Sequence, residues 1–252
     1  MDLKLKGQTA LITGGTKGIG RAIAESFATE GCNVSICARK EDEVKSAVAA
    51  LQQKGVKAFG KAVDVANGEH LKAWIQESAQ ALGGIDILVS NVSGGNQPGE
   101  AGWRSSFEHD MLGTVRSVDA ALPFLEKSKN GNIVMISSTA ALEKFISAGA
   151  YNAMKAALLN YSGALSQDLA PKGIRVNAVS PGPIMIEGGS WDMIKKRMTP
   201  FYEGILAQIP LSRMGTGDEV AAQVVFLASP RAAFTTGTNI VIDGGITKRI
   251  QY

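Results

Sequence analysis

Three residues within one short stretch carry side chains that could hold a substrate oxygen and move a proton: Ser138, Tyr151 and Lys155. Tyr151 and Lys155 are four residues apart, so on a helix they lie one turn apart on the same face. A nearby ammonium favours the charged form of a phenol, which lets a tyrosine act as a general acid or base. A strand ending at Ser138 would bring its hydroxyl beside that helix. The same spacing also occurs by chance on surface helices, so the rest of the chain decides its meaning.

A glycine-rich stretch near the start of the chain could hold a phosphate. An apolar run over residues 9–13 predicts a buried strand, and residues 21–30 have the apolar spacing of a helix that ends at Gly31. Between them, glycines let the backbone approach an anion, and the N–H groups of the first helical turn point at it. The residues expected at this phosphate site are Gly14, Thr16, Lys17, Gly18, Ile19 and Gly20.

The end of the second predicted strand bears on the choice of dinucleotide. Sites that prefer NAD carry an acidic residue there to bind the ribose hydroxyls. This chain has Ala38 followed by Arg39 and Lys40, and Lys17 adds a charge from the glycine-rich loop. Guanidinium groups suit a 2′-phosphate, so the pattern predicts NADP(H). The alternative is that Arg39 and Lys40 are solvated loop charges.

Strands and helices alternate along the whole chain, which predicts a doubly wound parallel β-sheet with helices on both faces, in a single α/β domain spanning 1–252. Ligands of such sheets bind at the carboxyl ends of the strands, where the glycines, Asp64, Asn91 and Ser138 fall. We expect a polar loop over 94–103, one long helix over 104–129, and a mobile substrate lid over about 184–214.

The composition excludes several classes of protein. Of 252 residues, 45% are hydrophobic and 19% are charged, and the net charge of +3 has no basic block, so we expect no nucleic-acid partner. Cys32 and Cys37 suit neither a disulfide framework nor a metal site, which favours a reducing cytoplasm. The first residues lack the apolar core of a signal peptide, and no apolar run is long enough for a membrane span.

Taken together, these motifs resemble those of the short-chain dehydrogenase/reductase family, and within it the NADP-preferring 3-oxoacyl-acyl-carrier-protein reductases. The resemblance covers essentially the whole chain. The segments that carry it are 13–20, Asp64, Asn91, Ser138, Tyr151 with Lys155, Asn177 with Pro181 and Gly182, and 243–245.

The resemblance implies a Rossmann fold and hydride transfer between a nicotinamide and a carbonyl or alcohol carbon. It implies that Tyr151 is the general acid or base and that Ser138 holds the reacting oxygen. It also implies that Lys155 forms a hydrogen bond with the nicotinamide ribose. It places the adenine amino group at Asp64. The further cofactor-binding residues expected are Arg39, Val65 and Asn91, with Pro181, Gly182 and Ile184 along the nicotinamide. A homo-oligomer, dimer or tetramer, is also expected.

The chain departs from the family at three places. Asn91-Val92-Ser93 replaces the usual Asn-Ala-Gly, and Met185-Ile186 stands where a threonine often contacts the nicotinamide. Asp110 occupies the position of the catalytic asparagine, and an ionised carboxylate can accept hydrogen bonds but cannot donate them. We expect Asp110 to share a water with Lys155, the alternative being that it turns outward.

Two functions follow from these residues. The first is an NADP(H)-dependent reductase of a carbonyl substrate, a β-ketoacyl thioester or a small ketone. The second is a dinucleotide-binding regulatory protein that has lost most of its turnover. Intact Ser138, Tyr151 and Lys155 favour the enzyme, and Asp110 is the one feature that favours the regulatory protein.

Overall fold

The computed structural model of the chain describes residues 1–144 and 148–249. Its strands are β1 (Thr9–Thr13), β2 (Asn33–Ala38), β3 (Ala58–Ala62), β4 (Ile87–Ser90), β5 (Asn132–Ile136), β6 (Arg175–Pro181), β7 (Ile184–Met185), β8 (Gly215–Thr216) and β9 (Asn239–Ile242). Its α-helices are α1 (Gly18–Thr29), α2 (Glu41–Gln52), α3 (Gly68–Leu82), α4 (Gly99–Ser106), α5 (Gly113–Leu125), α6 (Ala150–Leu169), α7 (Ser190–Arg197), α8 (Thr199–Leu206) and α9 (Gly217–Ala228).

Seven of the strands form one parallel sheet in the order β3-β2-β1-β4-β5-β6-β9. The order reverses between β1 and β4, which is the crevice where doubly wound sheets bind their ligands. The predicted Rossmann-type α/β fold is therefore confirmed.

Two apolar cores cover the two faces of this sheet. Successive strand residues point to opposite faces, so Ile12 packs into one core and its neighbour Leu11 into the other. The first core is completed by α1, α2 and α9, and the second by α3, α5 and α6. The strands read as continuous hydrophobic runs because both of their faces are buried. Within the described part of the chain, no helix combines the length and apolar character that a membrane span requires.

The region between β4 and β5 differs from the prediction. The expected loop over 94–103 ends early, because α4 already begins at Gly99. The expected long helix over 104–129 is interrupted by a π-helical turn, Phe107–Leu112, and α5 ends at Leu125. Such turns insert an extra residue into a helix and are frequent at functional sites. This one changes where the side chains before and after it point.

The segment 184–214, expected as a lid, contains short regular elements. Strand β7 pairs with β8, which closes the segment at its base. Helices α7 and α8 pack over a small apolar cluster formed by Ile205, Ile209 and Met214. Trp191 and Phe201 stack in parallel within the segment, with ring centroids 6.4 Å apart.

Candidate active site

The glycine-rich turn between β1 and α1 is held closely against the end of β4. Gly14 has a φ of 70°, a left-handed conformation that favours glycine, and a Cβ on Gly20 would collide with the Gly14 carbonyl oxygen. The Asn91 amide donates hydrogen bonds to the carbonyl oxygens of Thr13 and Gly14, at 3.0 and 3.4 Å. The Asn91 side chain therefore fixes the shape of the turn.

The first turn of α1 can receive an anion. Lys17 precedes the helix in an extended conformation and makes no side-chain cap. The N–H groups at the start of a helix have no partner within it, and the helix dipole makes that end positive. Gly18, Ile19 and Gly20, whose N–H groups begin the helix, line a cavity together with Ser138 and Tyr151.

The three residues of the predicted proton-transfer group lie in one cavity of about 710 Å³. Ser138 follows β5, and its hydroxyl oxygen accepts a hydrogen bond from the backbone N–H of Ala140 at 3.2 Å. Tyr151 lies in the first turn of α6, and the Nζ of Lys155 is 5.8 Å from the centre of its ring. The structure thus brings Ser138, Tyr151 and Lys155 together.

Two hydrogen bonds with the end of β5 hold Lys155 in place. Its Nζ donates to the carbonyl oxygen of Ile136 at 2.9 Å, and its side chain is only 3% exposed. The hydroxyl of Ser137 donates to the Lys155 carbonyl oxygen at 2.8 Å, which ties α6 to the end of β5. Ser137 was missed by the sequence reasoning, because its hydroxyl acts only once α6 is folded against the sheet.

Asp110 points inward to Lys155, as the first of the two sequence expectations had it, but the contact is direct. It lies in the π-helical turn, is fully buried, and its Oδ1 is 2.9 Å from the Nζ of Lys155. The expectation that Asp110 lies near Lys155 is confirmed, but the two groups pair directly rather than through a shared water, and the alternative of an outward orientation is wrong. Its Oδ2 accepts from the backbone N–H of Gly94 at 2.7 Å and from the hydroxyl of Ser93 at 3.4 Å. Asp110 reaches the site through Lys155 and this loop.

A second cavity, of about 370 Å³, adjoins the first at the ends of β2 and β3. Arg39, Lys17 and Lys40 line it with Thr16, as the sequence predicted for a phosphate site. Glu43, which was not predicted, lies among these cations. Its carboxylate is 3.0 Å from the Nζ of Lys40 and 3.6 Å from that of Lys17. The hydrogen bond from Lys40, reinforced by Lys17, lowers the pKa of Glu43 below its usual range.

Asp64 and Val65 line the same cavity beyond β3. The Oδ1 of Asp64 accepts from the backbone N–H of Ala66 at 3.0 Å and lies 3.2 Å from the Nε2 of His109. His109 precedes Asp110 in the π-helical turn. It was missed because it lies 45 positions from Asp64 in sequence, and only the fold brings the two together.

Every remaining predicted cofactor residue also borders one of the two cavities. Pro181, Gly182 and Ile184 line the larger one. Ile186, Trp191 and Ile194 close that cavity from the segment 184–214. No group of three or more His, Cys, Asp or Glu side chains in residues 1–144 and 148–249 could hold a metal ion.

These residues fit a nicotinamide dinucleotide. The two cavities share Lys17, Asn91 and Ser93, so they form one continuous groove over the switch in strand order. The start of α1 offers N–H donors at the middle of the groove. Cations lie at one end of the groove, and the predicted proton-transfer group lies at the other end. A diphosphate with a nucleoside on each side needs such an arrangement.

Comparison with known proteins agrees with this geometry. The family model described as "Enoyl-(Acyl carrier protein) reductase" matches residues 14–247. The chain is 44% identical to isoepoxydon dehydrogenase of Penicillium expansum, over 98% of both chains. It is 32% identical to 3-oxoacyl-[acyl-carrier-protein] reductase of Staphylococcus aureus, over 95% of this chain and 98% of the relative.

A solved structure shows the same fold. The L-sorbose reductase of Gluconobacter frateurii, in complex with NADPH and L-sorbose, superposes with a TM-score of 0.91 at 32% identity, over 99% of this chain and 100% of that one. The chain therefore belongs to the short-chain dehydrogenase/reductase family, and it is an oxidoreductase that transfers a hydride between a nicotinamide dinucleotide and a carbonyl or alcohol carbon.

Proposed function

We propose that this protein is an NADP(H)-dependent reductase of a small carbonyl substrate, with Tyr151 as the proton donor. The observation that carries the proposal is the shared cavity of Ser138, Tyr151 and Lys155, continuous with the cationic end at Arg39 and Lys17. When bound, the nicotinamide supplies the hydride to the carbonyl carbon.

The chain's own residues handle the oxygen and the proton. The Ser138 hydroxyl holds the carbonyl oxygen, which gains negative charge as the carbon is reduced. The Tyr151 phenol gives its proton to that oxygen and becomes a phenolate, which the Lys155 ammonium stabilises. In alcohol oxidation the same phenolate takes the proton back.

Lys155 keeps hydrogen-bond donors for the cofactor. An ammonium has three N–H bonds, of which one goes to the carbonyl oxygen of Ile136, while the carboxylate of Asp110 lies 2.9 Å from Nζ as its ion-pair partner. A remaining N–H can reach the hydroxyls of the nicotinamide ribose. Asp110, which touches neither substrate nor cofactor in this scheme, pairs with the Lys155 ammonium and anchors the loop at Gly94.

The preference for NADP(H) rests on charge at the end of β2. Arg39 and Lys17 line the cavity where the adenosine ribose would lie, and no acidic residue ends the strand. Glu43 now pairs with Lys17 and Lys40, but such exposed pairs are weak, typically below about 1 kcal/mol. A 2′-phosphate can therefore displace that carboxylate and take over its cations.

Two further features belong to the proposal. Cys32 and Cys37 are both buried, and their small number and close spacing in the sequence suit a reducing cytoplasm. Trp103 and Phe107 are about half exposed and four residues apart, as expected of a helical face that pairs with a second copy in a homo-oligomer.

Steady-state kinetics tests the proposed function. NADPH oxidation is followed with L-sorbose, a β-ketoacyl thioester and a panel of small ketones, and NADP⁺ reduction with isoepoxydon. We expect turnover with at least one substrate and a higher kcat/KM for NADPH than for NADH. Equal kcat/KM values would overturn the cofactor assignment. Tight NADPH binding without turnover on any substrate would instead support the regulatory protein.

A further inference from the structure

His109 is an ionisable side chain of the dinucleotide groove to which the proposed reaction gives no role. It lies in the π-helical turn, its side chain is 19% exposed, and it borders the smaller cavity beside Asp64. Its neighbour in sequence, Asp110, faces Lys155 at the other end of the groove. The turn therefore presents two consecutive residues to the two ends of the cofactor site.

Both ring nitrogens of His109 face oxygens. Nδ1 is 2.8 Å from the carbonyl oxygen of Ser105, and Nε2 is 3.2 Å from the Oδ1 of Asp64. A carbonyl and an ionised carboxylate can only accept, so a ring nitrogen that carries a hydrogen can donate to the oxygen that it faces. Ser105 belongs to α4, and its contact with Nδ1 fixes the plane of the His109 ring. In this orientation Nε2 faces the Asp64 carboxylate.

The contacts that restrain Asp64 all use one of its two oxygens. Oδ1 accepts from the backbone N–H of Ala66 and faces His109. Within the described residues, Oδ2 has no partner, and the Asp64 side chain is 44% exposed at the cavity. An oxygen left in this way can accept a hydrogen bond from a donor in the groove.

We propose that His109 is a positioning residue that holds the Asp64 carboxylate so that its Oδ2 accepts a hydrogen bond from the exocyclic amino group of adenine. This rests on the proposed function in one respect, namely that the adenine end of the dinucleotide lies at Asp64. His109 does not touch the cofactor in this arrangement. It selects an amino-bearing purine by orienting the carboxylate that recognises it.

The test compares NADPH with its deamino analogue, in which hypoxanthine replaces adenine and the amino group is absent. Dissociation constants are measured by fluorescence titration for the unmodified protein, His109→Phe, His109→Gln and Asp64→Ala. His70→Phe is the matched control, since His70 is the other of the chain's two histidines and is exposed at the start of α3. Circular dichroism and thermal melting check that each variant folds.

We expect the unmodified protein to prefer NADPH to the deamino analogue. His109→Phe should weaken NADPH binding roughly three- to tenfold, the equivalent of one hydrogen bond, and leave the analogue within about twofold. His109→Gln, whose amide can donate to Asp64, should lose less, and Asp64→Ala should lose the discrimination entirely. His70→Phe should change neither constant.

Equal loss of both cofactors in the His109→Phe and His109→Gln variants would overturn the proposal, as would no loss of either or no discrimination by the unmodified protein. If the His109→Phe variant fails to fold, the His109→Gln variant provides the test. The quantity compared is again the ratio of the dissociation constants for NADPH and the deamino analogue. Repeating the titrations with NADH and deamino-NADH separates this proposal from the proposed function. The His109 effect should be the same in that series even if the preference for the 2′-phosphate proves absent.

Discussion

The ammonium of Lys155 lies 2.9 Å from the carboxylate of Asp110, and the two side chains are 3% and 0% exposed. Charges buried to this extent need a partner, and removing one member of such a pair typically costs about 3 to 5 kcal/mol. Asp110 is therefore the charge partner of Lys155. It also places a negative charge near Tyr151, which opposes the stabilisation of the phenolate by the ammonium.

Substituting asparagine for Asp110 should move the pH dependence of catalysis. Asp110→Asn removes the negative charge, while its oxygen can still accept from the Gly94 N–H. The phenolate is then favoured, and alcohol oxidation requires the phenolate, so the rising limb of oxidation rate against pH should move to lower pH. Asp119→Asn, an exposed change on α5, is the control. A rising limb that stays at the same pH, or that moves to higher pH, would show that Asp110 does not act on Tyr151 in this way.

Removing the charge of Glu43 should strengthen the binding of NADPH. Glu43→Gln frees Lys17 and Lys40 and eliminates a carboxylate that repels a 2′-phosphate. Because these groups are exposed, we expect a gain of roughly two- to fivefold in NADPH affinity with no change for NADH. Glu41→Gln, in the same first turn of α2 but paired with Lys45, should have no effect on either cofactor. Weaker NADPH binding in Glu43→Gln would contradict this account.

Reversing the charge of Arg39 and removing that of Lys17, in the smaller cavity, should erase the preference for NADPH. Each charge-assisted contact to a phosphate contributes about 1.5 to 3 kcal/mol. Arg39→Asp combined with Lys17→Ala should therefore lower kcat/KM for NADPH by at least a factor of ten and leave NADH equal or better. Lys45→Ala, an exposed cation further along α2, serves as the control. A retained preference in the double variant would mean that other residues hold the 2′-phosphate.

The two cysteines should be inert in the folded protein. Burial raises the pKa values of Cys32 and Cys37 to about 12, and only the thiolate reacts with alkylating reagents. At pH 8 both thiols stay protonated, so iodoacetamide should leave the native mass unchanged and add two labels in urea. Cys37 deserves separate mapping by peptide mass, because it lies at the wall of the smaller cavity. Labelling of the native protein at either position would be incompatible with this burial.

Local patterns were sufficient to predict the sheet, the glycine-rich turn and the meeting of Ser138, Tyr151 and Lys155 in one cavity. The apolar run before Gly14 and the four-residue spacing of Tyr151 and Lys155 are encoded within a few positions. The π-helical turn leaves no such pattern, since one inserted residue barely alters the apolar spacing. The pairing of Lys155 with Asp110 joins residues far apart in sequence, and only the packing of α6 against the turn determines whether they meet directly or through water.

The proposed reaction depends on a proton from Tyr151, and the Tyr151→Phe variant removes the hydroxyl that would donate it. Turnover and NADPH affinity are measured on the same preparation, with Tyr161→Phe, further along α6 and outside both cavities, as the control. General acid–base catalysis is worth roughly 10² to 10⁴ in rate. We expect turnover to fall by that factor while NADPH binds within a few-fold of the unmodified protein. Activity above about a tenth of the unmodified rate would contradict the assignment of Tyr151 as the acid.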